Sequence, residues 1–304
     1  MTRHGMVEGA DGVPLAVVDF GGQGPGILLL HGMMGRATTW SQTARWLRSY
    51  GHVVGFDARG HGLSGSPDKG YDRLSHVQDA IAVIEALRLG PALVIGHSMG
   101  GLTAWQLSGQ RPDLVRGIVN GDMTPVVPSA QQSWKEWIDS WPVPFESIND
   151  VREYFGQLHP AEGDYFAEVM REEADGYRPL ARTEAVLACR AYWDDRDHMS
   201  DFDLVQCPAL VVAAEDSYFP VEPMRRMAER LRNGRFVLVP GVGHVLHYEN
   251  PAAWRVAVEP FVAELLGRPG IVPERCGDKQ ASNASHLAEA LPKPFRFLTS
   301  ARRR

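Results

Sequence analysis

Cysteine is scarce in this 304-residue chain. Cys189, Cys207 and Cys276 are scattered without a CxxC spacing, which argues against a disulfide framework and a cysteine-based zinc site. No metal and no cofactor is expected. Long apolar runs are also lacking. Stretches such as Ile27 to Leu30 and Ala209 to Ala214 fall well short of the roughly 18 residues a membrane-spanning helix needs. The opening MTRHGMVEGADGVPLAVVDFGG lacks the basic-then-apolar pattern of a secretory signal, so a cytoplasmic location is expected. Positive charge is thin in the middle of the chain, where residues 122 to 203 carry 18 acidic and 7 basic side chains. Such a segment repels polyanions, so the expected partner is a small-molecule substrate, with neither nucleic acid nor a membrane span. Basic residues gather instead from Arg268 to Arg304, 8 against 3 acidic ones, and residues 268–304 read as a solvated, disordered tail.

What is present is an alternation. Leu15 to Asp19, Gly26 to Leu30, Val53 to Phe56, Leu93 to Ile95 and Gly117 to Val119 are short, continuously apolar runs, as buried strands of a mostly parallel sheet are. Helical patterns at Ser41 to Ser49, Leu74 to Leu87 and Gly101 to Gln110 separate them. From about 122 to 205 the strand signals vanish, and four of the eight tryptophans, Trp134, Trp137, Trp141 and Trp193, fall in this segment. The first pattern resumes at Cys207, with strands at Ala209 to Ala214 and Arg235 to Val239 and helices at Val221 to Leu231 and Pro251 to Leu266. This is an α/β layer fold: a core of residues 1–121 and 206–267, interrupted by a helical insertion, 122–205.

Gly96-His97-Ser98-Met99-Gly100 is GxSxG between a predicted strand and a predicted helix. In a nucleophile elbow the serine sits in a strained backbone conformation, and side chains two residues away would collide with the neighbouring strand and helix. A serine hydroxyl needs a base, itself oriented by a carboxylate. His244 follows the last predicted strand and is preferred to His247, because Gly243 frees its backbone. Asp216, after the strand Ala209 to Ala214, is the first choice of acid; Asp122, after Gly117 to Val119, is the alternative. The backbone N–H groups of Met99 and Met33 are the candidate oxyanion donors. Met34, Trp134, Trp137 and Trp193 are candidate pocket walls, giving an adaptable, apolar site for uncharged groups.

The blocks HGMMG, DARGHGLS, GHSMGG, AAEDSYFP and GVGHVLHYENP stand in the order Ser, Asp, His within a patterned stretch from residue 14 to 266. In these the chain resembles the α/β-hydrolase superfamily. The resemblance implies a mostly parallel eight-stranded sheet with an inserted helical cap, with Asp57, Arg59, His61 and Ser64 in structural roles. Serine as the nucleophile argues against epoxide opening and halide displacement, where relatives place aspartate. The carbon-carbon bond hydrolases of aromatic degradation usually carry Trp after the catalytic His, and cofactor-free haloperoxidases or perhydrolases tend to carry Gly; here the residue is Val245. The resemblance therefore implies an esterase-like enzyme acting on an ester, lactone or thioester through an acyl-enzyme. The carbon-carbon and haloperoxidase chemistries are its alternatives, and a hydrolase-fold ligand receptor the non-enzymatic one.

Overall fold

The computed structural model describes residues 2–126 and 131–267; the basic tail and Cys276 lie outside them. The chain opens with strands β1 (Arg3–Glu8), β2 (Pro14–Gly21) and β3 (Gly26–Leu30), then helix α1 (Ser41–Leu47) and strand β4 (His52–Phe56). Helix α2 (Arg73–Ala86), strand β5 (Ala92–His97), helix α3 (Met99–Gln110) and strand β6 (Val115–Gly121) complete the first half. Asp72 caps α2 by accepting from the Ser75 N–H, which satisfies one of the free donors of its first turn.

The insertion holds α4 (Gln131–Asp139), α5 (Ile148–Phe155), α6 (Pro160–Glu168), β7 (Met170–Glu173), β8 (Gly176–Pro179) and α7 (Thr183–Trp193). The core resumes with β9 (Ala209–Ala214), α8 (Val221–Arg230), β10 (Gly234–Val239), α9 (Leu246–Glu249) and α10 (Pro251–Leu266). Among the described residues no helix is long and apolar enough to cross a membrane.

Eight strands form one sheet in the order β1-β2-β4-β3-β5-β6-β9-β10. The pairs β1/β2 and β2/β4 are antiparallel and the rest parallel. Alternation along the central strands divides the core. Leu28, Leu30 and Val94 pack with Val77, Leu102 and Met224 on one face. Ile27, Leu29 and Ile95 pack with Trp40, Trp254 and Phe261 on the other. With both faces covered by helices, the inner strands become apolar throughout.

Two elements lie outside the sequence expectation. β1 is exposed along nearly its whole length; as an edge strand with one neighbour it has no apolar signature to read. The insertion is not purely helical, because β7 and β8 form an antiparallel hairpin. Its sequences MREE and GYRP are too short and polar for a strand pattern, and only Asp175-Gly176 marks the turn. The insertion has its own apolar cluster, including Trp141, Phe145, Phe155 and Phe166, and Met34 and Val245 of the core loops join it.

The resemblance assigned structural roles to four residues after β4, and their contacts are structural. The Asp57 carboxylate accepts from the N–H groups of Ala37 and Leu63. Arg59 makes a fully buried, two-pronged ion pair with Asp79 of α2, both contacts at 2.7 Å. Ser64 accepts from the Ala16 N–H, and His61 bonds the Arg59 carbonyl.

Candidate active site

β5 and β6 are neighbours at the middle of the sheet, and β9 lies on the other side of β6. Chain segments leaving the carboxyl ends of these three parallel strands therefore meet at one edge. Ser98 leaves β5 with φ 51° and ψ −121°, a conformation that strains any residue with a Cβ. Glycine is required around it. A Cβ on Gly96 would collide with the Gly100 carbonyl, and one on Gly100 with the Leu30 carbonyl. Gly32 lies as close: a Cβ there would be 2.6 Å from the His97 ring and 3.1 Å from the Ser98 Cβ. The His31-Gly32-Met33 loop thus abuts the serine turn. Met99 is the first residue of α3, so its N–H has no acceptor within the helix and lies at the positive end of the helix dipole.

His244 Nδ1 lies 2.7 Å from Asp122 Oδ2. Asp122 is fully buried and sits at φ 47° immediately after β6. Its carboxylate also accepts from the Ala214 N–H at 2.9 Å and from the Ser217 hydroxyl at 2.5 Å. Asp216, the first choice from sequence, is exposed; what it contributes is a backbone N–H to the Val242 carbonyl. The pairing with His244 therefore belongs to Asp122 and not to Asp216. The physical reason is direction. Both loops end at the same sheet edge, but the turn at Asp122 sends its carboxylate inward, whereas Asp216 faces solvent.

His247, the rival of His244, is buried and stacked on Trp40 at 4.0 Å between ring centroids. Burial pushes it down to about 3, and neither ring nitrogen has a hydrogen-bond partner. It is a packing residue. His97 is set aside as the base by the sequence, since a residue adjacent to Ser98 on so sharp a turn points away from its oxygen. Its Nε2 lies 2.8 Å from the His244 carbonyl, and burial, reinforced by His244, holds it well below the usual imidazole range. A neutral ring donating from Nε2 fixes the loop that carries His244.

Ser98 opens onto a pocket whose lining includes Met33, Met99, Trp134, Trp193, Tyr218 and Arg73. Trp134 and Trp193, two of the candidate walls from the sequence, are among the lining residues. Met34 and Trp137 are not among its lining residues; both pack with the apolar cluster of the insertion. Trp193 and Trp134 are backed by the buried Arg190, whose guanidinium carbon lies 4.0 and 5.3 Å from their rings and whose charge is answered by Asp194 at 2.8 Å. Tyr218 and Phe219 place their rings 4.5 and 5.1 Å from that of His244. Among the described residues, no three His, Cys, Asp or Glu side chains gather to hold a metal ion.

Compared with known proteins, residues 27–258 match the model of the alpha/beta hydrolase family. The chain is 28% identical over 251 residues to 2-(acetamidomethylene)succinate hydrolase of Mesorhizobium japonicum, covering 79% of this chain and 89% of that one. It is 26% identical to (E)-2-((N-methylformamido)methylene)succinate hydrolase of Acinetobacter baylyi, over 79% and 91%. A solved structure of E-2-(acetamidomethylene)succinate hydrolase superposes with a TM-score of 0.78 at 26% identity, covering 86% of this chain and 99% of the other.

Proposed function

Because the chain belongs to the alpha/beta hydrolase family, we propose that it is a serine hydrolase that cleaves an acyl bond, an ester in the first instance, through an acyl-enzyme on Ser98. The observation that carries this is the pairing of His244 Nδ1 with the buried Asp122 carboxylate, at the sheet edge where Ser98 sits in its strained turn. The pairing fixes the ring with its proton on Nδ1 and leaves Nε2 as the base. His244 takes the Ser98 proton as the oxygen attacks the carbonyl carbon. The N–H groups of Met33 and Met99 hold the oxyanion. His244 then protonates the leaving alkoxide, and a water deprotonated by the same ring releases the acid.

The similarity to two succinate hydrolases over 79% of the chain favours a second reading, in which the same serine acts on a substrate of the acetamidomethylene-succinate type. The two readings share the nucleophile and differ in the bond cleaved. Turnover of chromogenic short-chain esters and of 2-(acetamidomethylene)succinate by the wild type and by Ser98→Ala tests both. Loss of at least about 10³-fold in kcat is expected for the variant on whichever substrate is turned over; full activity in Ser98→Ala contradicts the nucleophile.

A further inference from the structure

Among the described residues lining the pocket above Ser98, one carries a charge that no carboxylate pairs with directly. Arg73 lines it together with Ser98, Trp134 and Trp193. Its Nε donates to Gln106 Oε1 at 3.1 Å and its Nη2 to the Thr103 hydroxyl at 2.6 Å, both on α3. Those acceptors are neutral, and no carboxylate lies within ion-pair distance of Arg73 among the described residues. The neighbouring Asp72 spends both carboxylate oxygens on Ser75. Asp201 lies beyond Gln106, where it accepts from the Gln106 amide and pairs with Arg196. Arg73 is also the first residue of α2, where a cation opposes the helix dipole. Arg190, the other arginine beside these walls, contrasts in every respect, since it lies behind the tryptophans and holds its own aspartate. Burial pushes Arg73 down only to about 10, so it is a cation at neutral pH.

We propose that Arg73 is the anchor for a carboxylate of the substrate, so that the bond attacked by Ser98 belongs to an anionic small molecule and not to an uncharged one. A planar guanidinium held on Nε and Nη2 keeps N–H donors for a carboxylate, which a desolvated site binds more strongly than water would allow. The methionine and tryptophan walls then receive the rest of the molecule. This rests on the reading of Ser98 as the nucleophile, but its test does not.

Trp134 and Trp193 report occupancy of the pocket, so intrinsic fluorescence is titrated with succinate, glutarate and adipate, and with their diamides as uncharged controls. The wild type and Ser98→Ala are expected to bind at least one dicarboxylate at least about tenfold more tightly than its diamide. Arg73→Met is expected to abolish that difference, and Arg73→Lys to keep the preference at reduced affinity. Equal affinity for acids and diamides in the wild type overturns the proposal, as does an undiminished preference in Arg73→Met. The wild-type comparison decides even where Arg73→Met does not fold. Carboxylate binding without turnover of any ester sinks the hydrolase reading and leaves Arg73 standing; ester turnover without carboxylate preference does the reverse.

Discussion

At the scale of single residues, the site turns on which carboxylate holds His244. Asp122 is enclosed by the Ala214 N–H, the Ser217 hydroxyl and His244 Nδ1, while Asp216 is exposed. Asp122→Asn keeps the shape but offers the ring the wrong tautomer, and kcat is expected to fall about 10³- to 10⁴-fold. Asp216→Asn is expected to stay within about twofold. Steady-state kinetics on one chromogenic ester settles the contrast, and a reversed order of the two variants contradicts the assignment. The residues needed for this were legible in the chain, since Ser98, His244 and both aspartates stand at the ends of predicted strands. The choice between the aspartates was not. It depends on the backbone turn at Asp122, φ 47°, and periodicity carries no information about which way a side chain leaves a loop.

At the scale of elements, the serine turn works because three pieces of backbone touch. Gly96, Gly100 and Gly32 each sit where a Cβ would strike a neighbour, so the strand, the helix and the loop after β3 are locked together. Gly100→Ala is expected to cost about 2–4 kcal/mol, read as a lowered urea midpoint, because the atom it would hit is the Leu30 carbonyl of the central strand, which has no room to move. An unchanged midpoint contradicts this close packing. In the insertion, Ser147 and Asp150 cap α5 reciprocally, and Ser147→Ala is expected to cost about 1 kcal/mol. Faster amide exchange at the start of α5 is the readout, and unaltered exchange there goes against the capping role. The inner strands announced themselves because both of their faces are buried. β1 and the β7–β8 hairpin did not, because an exposed edge and a four-residue polar strand carry no repeating apolar signal.

At the scale of the whole molecule, histidines buried in neutral form contribute to its response to acid. Burial, in each case the largest cause, pushes His31 and His61 down to about 4 and His247 to about 3, whereas an unfolded chain protonates them near 6.5. As pH falls below about 6.5 the unfolded state takes up protons that the folded state refuses, so stability present at neutral pH is lost progressively toward pH 4 and below. Each such ring contributes a slope of up to about 1.4 kcal/mol per pH unit. His247→Phe preserves the stacking on Trp40 and is expected to flatten the dependence of Tm on pH between 6.5 and 4.5; an unchanged slope contradicts the burial of a neutral ring there.

The claim on which the rest depends is that Ser98 is the nucleophile of an intact, preformed site. Fluorophosphonate labelling followed by peptide mass spectrometry tests it most directly. A single stoichiometric adduct is expected on the peptide carrying Ser98, absent from Ser98→Ala and slowed in Asp122→Asn but not in Asp216→Asn. Labelling of another residue, or undiminished labelling of Ser98→Ala, would contradict it.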